Sequence, residues 1–458
     1  MSAEGLRASI EKMEAEGLPG AAIDTFRHYY AQLESGETGM LPEADIEPVE
    51  GVAELDALPE EDGPLEQAVV LKLNGGLGTS MGMTRAKSLI EAKDGLTFLD
   101  VIVRQVAALR ERAGAPVPLV LMNSFYTRED SLEALAAHPA LESGVPADFV
   151  QHKEPKLLVD GLAPASWPDD PALEWCPPGH GDLYTALLTS GMLDALLDGG
   201  FRYAFLSNSD NLAAVLEPRV LAWIAREGIP FVMEVTDRTQ ADRKGGHLAL
   251  RREGGYVLRE TAQTPEEDLD ALQDISRHRY VNTNNLWVDL RALKELLAAR
   301  EGVLGLPLIV NRKTVDPSEK ASPEVFQLET AMGAAVGVFE GARPLRVPRR
   351  RFSPVKSTED LLALRSDAYA LADDARVELD GRRDGRPPVV DLDDAYYKRL
   401  ADFDARFPAG APSLVECERI SVEGDVTFGR DVVVRGAVSV SANGDGRRRI
   451  DDGAVLEG

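Results

Sequence analysis

The chain has 458 residues and carries 50 Lys plus Arg against 77 Asp plus Glu, a formal charge of -27. Such acidity opposes a nucleic-acid or anionic-membrane partner. Cys176 and Cys417 lie far apart and supply neither a disulfide framework nor a metal-ligand cluster.

That length exceeds one simple core and predicts two or three domains. No apolar run of about eighteen residues marks a membrane span, and the charged start MSAEGLRASIEKMEAEG is no signal peptide. The expected location is cytoplasmic.

Residues 1–65 read as amphipathic helix followed by an acidic linker. Leu6, Ile10 and Met13, then Ile23, Phe26 and Tyr30, recur at helical spacing. From 66 to 350, strands and helices alternate. Apolar runs at Val69–Leu73, Pro118–Met122, Tyr203–Leu206 and Pro230–Val235 predict buried strands. Helical patterns at Phe98–Arg110, Ser131–Ala137, Leu183–Leu197 and Pro218–Arg226 lie between them, and Asn282–Leu290 and Pro307–Val310 add later strands. This alternation predicts a three-layer α/β domain around a mostly parallel sheet.

Residues 351–412 form a connecting region, with a helix expected over 358–372 and a loop over 380–388. The tail, 413–458, repeats. Ile420, Val426, Val432, Val438 and Ile450 keep a period of six that only Gly444 breaks, and Val422, Phe428, Val434 and Val440 repeat it two residues later. Coinciding hexad registers predict a short β-helix whose open end needs a cap or a partner chain. A β-sandwich appendage is the alternative.

The chemistry starts where the strand Val69–Leu73 empties into Asn-Gly-Gly-Leu-Gly. Glycines at 75, 76, 78 and 82 let backbone amides approach a phosphate, and Lys87 adds a positive charge. The loop lacks a P-loop ending and misses the dinucleotide fingerprint by one residue, so a plain glycine-rich turn fits it as well. Asp210 follows the strand Tyr203–Leu206, at the carboxyl end where α/β sheets bind ligands. It suits a divalent cation, or simply a turn. Lys356 precedes a predicted helix that Ser357 or Thr358 can cap. Alone it reads as a surface charge.

Together these motifs resemble a known family. The segment 72–89, PLVLMNSF at 118–125, PPGHGD at 177–182 and SNSDN at 207–211 match it in order. KGGHL at 244–248, NTNNLW at 282–287, QLETAMGAA at 327–335 and FSPVKS at 352–357 continue the match. The chain is similar, from about residue 65 onward, to the eukaryotic-type UTP–glucose-1-phosphate uridylyltransferases (UDP-glucose pyrophosphorylases). One departure is Ala86, where the family usually has proline before the loop lysine.

The resemblance implies a Rossmann-like nucleotide-diphospho-sugar transferase domain with a short C-terminal left-handed β-helix. It implies uridylyl transfer from UTP to glucose 1-phosphate with Mg²⁺ held at Asp210. Lys87 and Lys356 become the catalytic cations. Leu73, Asn74, Gly75, Gly76, Gln151, Gly179 and Asn208 join Lys87, Asp210 and Lys356 around the nucleotide, with the Gln151 amide suited to the uracil edge.

Gly75, Gly76, His180, Gly245, Gly246, Asn282 and Asn284 face the sugar phosphate, where neutral amides suit hydroxyls. His180 is expected to contact substrate and not to move protons. Glu329 and Thr330 hold either the sugar or the fold. Other readings are a pyrophosphorylase for galactose 1-phosphate or N-acetylglucosamine 1-phosphate, and a catalytically silent nucleotide-sugar-binding regulator. A homo-oligomer built through the C-terminal repeat is a further expectation.

Overall fold

The computed structural model describes residues 2–442 and 446–458; Gly444, where the hexad period breaks, lies outside them. An eleven-stranded sheet organises the chain. In chain order its strands are β1 (Ile46–Pro48), β2 (Ala53–Glu54), β3 (Ala68–Asn74), β4 (Leu119–Asn123), β5 (Asp148–Val150) and β6 (Tyr203–Asn208). They continue as β7 (Phe231–Asp237), β8 (His247–Arg251), β9 (Tyr256–Arg259), β10 (Tyr280–Asp289) and β11 (Arg343–Arg346).

Eight lie side by side in the order β2-β11-β7-β10-β6-β3-β4-β5, and β1, β8 and β9 attach beside β10. Along that path only β10 runs against its neighbours. Parallel order puts the carboxyl ends of β3, β4, β5 and β6 on one edge, where a ligand crevice forms.

The run AVVLKLN makes β3 a strand buried on both faces, as a parallel interior strand must be. Ala68 and Val70 pack with the helices Phe98–Ala113 and Pro218–Glu227. Val69 and Leu71 pack on the other side, with Leu183–Thr189, Met192–Asp198 and Leu290–Ala299. The expected three layers arise from this alternation. At the N-terminus, Met13, Ile23, Phe26, Tyr29 and Tyr30 of the helices Ser2–Ala15 and Gly20–Glu34 dock on Leu157, Leu308 and Leu328.

The C-terminal strands Val389–Leu392, Cys417–Glu423, Val433–Ser441 and Val455–Glu457 pair in parallel in that order, and Val426–Phe428 pairs in parallel with Arg448–Ile450. Ile420 faces Val438 and Val422 faces Val440, so partners are three hexads apart. The hexad residues from Ile420 to Ile450 are all buried. Their cluster is continuous with the helix layer over β3, joined through Leu361, Leu392, Tyr397 and Phe403.

Several local expectations change. Gly191, at φ 75°, splits the helical run 183–197 in two. The helix expected over 358–372 stops at Arg365, and Tyr369–Leu371 instead pairs with Val377–Leu379. The acidic linker contributes β1 and β2 to the main sheet. The strand Leu308–Thr314 belongs to a separate three-stranded sheet with Glu324–Thr330 and Leu157–Leu158.

Candidate active site

Leaving β3, the chain makes a loop that depends on glycine at two places. Gly78 and Gly82 take φ of 65° and 73° on either side of a single turn, Thr79–Met81, a conformation that side chains resist. Gly75 has a different reason. A Cβ there would stand 3.0 Å from Gln151 Oε1, so the bare backbone lets the glutamine amide lie against the loop. Gln151 is held in turn by its own N–H, which donates to the Asn123 carbonyl at 2.8 Å.

The Lys87 N–H donates to the Gly76 carbonyl at 3.0 Å and folds the lysine back over the loop. Asn74 faces inward, its amide donating to Asn123 Oδ1 and Ser131 Oγ, both at 2.8 Å. Ala86 is fully buried with φ -55°, inside the range proline adopts.

β6 delivers Asn208 beside Leu73; the next residue, Ser209, donates its N–H to the Leu73 carbonyl at 3.1 Å. Asp210 then meets both lysine-bearing segments. Lys87 Nζ donates to Asp210 Oδ2 at 2.7 Å, and the Val355 N–H donates to the Asp210 carbonyl at 3.1 Å. Asp210 Oδ1 is buried without a hydrogen-bond partner among the described residues.

Beneath, Lys72 is buried and bonded to Ser207 Oγ and the Ala214 carbonyl at 2.7 and 2.9 Å. Burial, aided by the nearby positive Arg351, pulls its ammonium down to about 7, against the pull of Asp210 and Glu234. Lys356 is exposed; together with Met81 of the glycine loop and Lys398 it lines one cleft. Ser357 caps the following helix through a reciprocal capping box with Asp360.

The PPGHGD turn sits on Thr330. At φ 78°, Gly179 would place a Cβ 2.5 Å from the Thr330 carbonyl oxygen, and a Cβ on Gly181 would collide with Thr330 Oγ1. Thr330 therefore packs against this turn, while Glu329 sits 3.6 Å from Lys313. The Met332 N–H donates to His180 Nδ1 at 2.9 Å, which leaves the neutral ring its proton on Nε2. Packing around the imidazole pulls it down to about 4, so it stays neutral at physiological pH and suits contact, not proton transfer.

Of the residues expected to face the sugar, Asn282 and Asn284 bond each other, Nδ2 to Oδ1 at 2.8 Å and Oδ1 from N–H at 2.9 Å. Asn284 takes φ 57°, which asparagine tolerates. The Asn282 N–H reaches the Gly246 carbonyl at 3.0 Å, and Gly245 lies against Val281.

Two groups carry no signal of their own in the sequence. Glu260 stands where a Gly246 Cβ would come within 2.5 Å of its carboxylate. Burial raises its pKa, and the charge of Lys356 opposes the rise. Asp182 clamps His152, accepting its N–H at 2.6 Å and lying 2.7 Å from Nδ1, which ties the strand end at Gln151 to the His180 turn. Only its place inside PPGHGD hints at it.

The arrangement thus brings together Leu73, Asn74, Gly75, Gly76, Lys87, Gln151, Asn208 and Asp210 at one sheet edge. Lys356 enters beside Asp210, with Gly245, Gly246, Asn282 and Asn284 grouped beyond.

A family model described as UTP–glucose-1-phosphate uridylyltransferase matches residues 23–435. The enzyme of that name from Hordeum vulgare is 42% identical over 394 residues, 86% of this chain and 81% of that protein. The Saccharomyces cerevisiae one is 40% identical over 400 residues, 87% and 79% respectively. Among solved structures, a Leishmania major UDP-glucose pyrophosphorylase variant in complex with UDP-glucose superposes with TM-score 0.94 at 46% identity, covering 99% of this chain and 98% of that one. A Trypanosoma brucei structure, described as UDP-glucose phosphorylase, gives 0.91 at 43%, with the same coverage.

Proposed function

We propose a reaction from one premise: the chain belongs to the UTP–glucose-1-phosphate uridylyltransferase family. The protein transfers the uridylyl group of UTP to glucose 1-phosphate, forming UDP-glucose and pyrophosphate. A phosphate oxygen of the sugar attacks the α-phosphorus in line. The bond to the β-phosphate breaks, and pyrophosphate leaves with that electron pair. No protein nucleophile is needed; the work is alignment and neutralisation of charge.

One observation carries the assignment of parts. Asp210 touches both the Lys87 side chain and the arm that ends in Lys356. In this reading Lys87 and the glycine-loop amides hold the triphosphate, and Lys356 neutralises charge on the transferring phosphate. The Gln151 amide reads uracil against Gly75, and Leu73, Gly179 and Asn208 enclose the nucleotide. Asn282, Asn284, Gly245 and Gly246, with Glu260, take the sugar hydroxyls. His180 donates from Nε2 and keeps its proton throughout.

The unpartnered Oδ1 of Asp210 fits Mg²⁺, a hard cation that takes one carboxylate and fills its shell with phosphate oxygens and water. When bound, the ion supplies positive charge to the polyphosphate.

The decisive experiment offers UTP and Mg²⁺ with a panel of sugar 1-phosphates and measures pyrophosphate. Glucose 1-phosphate should lead. Preference for galactose 1-phosphate or N-acetylglucosamine 1-phosphate would overturn the specificity, and UTP binding without pyrophosphate from any sugar would leave only a regulatory role.

Three finer readings are proposals of the same kind. The parallel stacking three hexads apart supports a short left-handed β-helix at the C-terminus. The half-exposed Val455 on its last strand supports self-association there. The two buried free thiols, Cys176 and Cys417, support a cytoplasmic location.

A further inference from the structure

Behind the site lies a buried ion pair with no part in the chemistry above. Arg351 donates from Nε to Glu234 Oε2 at 3.0 Å and from Nη2 to Glu234 Oε1 at 2.8 Å, with side-chain exposures of 6% and 0%. Trp287 Nε1 and Asn285 Nδ2 also donate to that carboxylate, at 3.0 and 3.1 Å.

Glu234 sits at an irregularity between β7 and β10. Met233 faces Leu286 and Val235 faces Asn282, so Thr283, Asn284 and Asn285 all stand opposite Glu234 alone. Thr283 Oγ1 donates to the Glu234 carbonyl at 2.7 Å and pins the bulge. This bulge presents Asn282 and Asn284; bulges beside sites commonly re-aim side chains.

Arg351 also begins the arm that carries Lys356, and the arm is held at alternate residues. The Arg351 carbonyl accepts from Asn211 Nδ2 and Asn285 Nδ2 at 3.2 and 3.4 Å. The Ser353 N–H donates to Asn211 Oδ1 at 3.1 Å, and the Val355 N–H to the Asp210 carbonyl at 3.1 Å. One carboxylate therefore fastens the asparagine bulge to the lysine arm. A buried ion pair is a weak source of stability compared with apolar side chains of the same volume, so its value here lies in placement.

We propose that Glu234 and Arg351 are positioning residues that fix the spacing between Lys356 and the Asn282/Asn284 bulge across the reacting phosphates. This role rests on the uridylyl-transfer reading.

The test is the double variant Glu234→Gln with Arg351→Met, which leaves no buried charge unpaired. It should melt near the parent, yet kcat should fall by roughly 100-fold, the scale of a small misplacement of reacting groups. Amide exchange at Ser353 and Val355 should quicken. Adding Lys356→Ala to it should cost far less than Lys356→Ala costs the parent, because the lysine is already misplaced.

Parental kcat together with parental exchange in the double variant would overturn the proposal. Should that variant fail to fold, Arg351→Lys, which keeps the charge and loses the fork, should show the same signature more weakly; its absence there would be equally fatal. An inactive parent would sink the reaction assignment, while the exchange rates at Ser353 and Val355 would still decide the brace.

Discussion

Lys87 Nζ lies 2.7 Å from Asp210 Oδ2, so the loop's cation and the candidate metal carboxylate neutralise each other across two adjacent parallel strands. In the proposed reaction an incoming triphosphate would compete with Asp210 for the lysine, and a divalent cation would compete with the lysine for Asp210. On that reading, binding both together would satisfy each partner, and the site would favour the metal–nucleotide complex over either alone.

Replacing Asp210 with Asn keeps the size and removes the charge. The Mg²⁺ concentration for half-maximal pyrophosphate release should rise about tenfold or more, as expected when a cation loses its one carboxylate. A metal titration that superposes on the parent's would mean that Asp210 is a turn residue and no ligand.

Lys356 is exposed, so Lys356→Ala should leave the melting temperature in place. Turnover should drop by about 100- to 1,000-fold, the usual scale for losing one transition-state charge contact. Pyrophosphate release under saturating substrates is the measurement, and unimpaired kcat would remove the lysine from the mechanism.

The His180 ring sits at about 4, below its ordinary 6.5, because burial disfavours the cation. Between those values the unfolded chain binds more protons at this residue than the folded one. Its contribution to stability is therefore complete above pH 6.5 and is lost as pH falls through about 4. Urea unfolding of the parent and of His180→Asn should show a stability gap at pH 7 that narrows at pH 4.5. Turnover should show no limb from this residue in the neutral range; a rate that followed a group near 6.5 and vanished in the variant would restore acid–base duty to the histidine.

Ala86 already adopts φ -55° and ψ 129°. Ala86→Pro should therefore stabilise by about 0.5 kcal/mol through the unfolded chain, and thermal melting checks it. Destabilisation would mean that the buried alanine has no room for the ring.

Much of the site is legible in the sequence because strand ends are legible. β3 and β6 announce themselves as short apolar runs. The residues just past those runs, Asn74 to Gly78 and Ser209 to Asn211, fall at the crevice by topology alone. Gln151 and Lys356 need the family resemblance, since neither a lone glutamine nor a lone lysine before a helix has a local signature.

Other features are invisible in the sequence for physical reasons. Glu234 lies within the apolar run Pro230–Val235 with no partner visible nearby in the chain; it is fully buried, and Arg351, far off in sequence, meets it. NTNN opens the strand expected over Asn282–Leu290, and only pairing with β7 shows that it bulges there. The pattern over 358–372 is apolar at helical spacing throughout, yet the chain ends the helix at Arg365 because Tyr369–Leu371 finds a strand partner in Val377–Leu379. Tertiary pairing outweighs local propensity at that point.

The apolar cluster that unites the helix layer over β3 with the stacked tail strands has a practical corollary. Severing the molecule near residue 412 would not release a self-sufficient enzyme and a detachable ornament. It would bare Leu361, Tyr397 and Phe403 to water on one fragment and Val426 and Phe428 on the other. Two sticky halves would result, so heating should melt tail and catalytic layers in a single cooperative event.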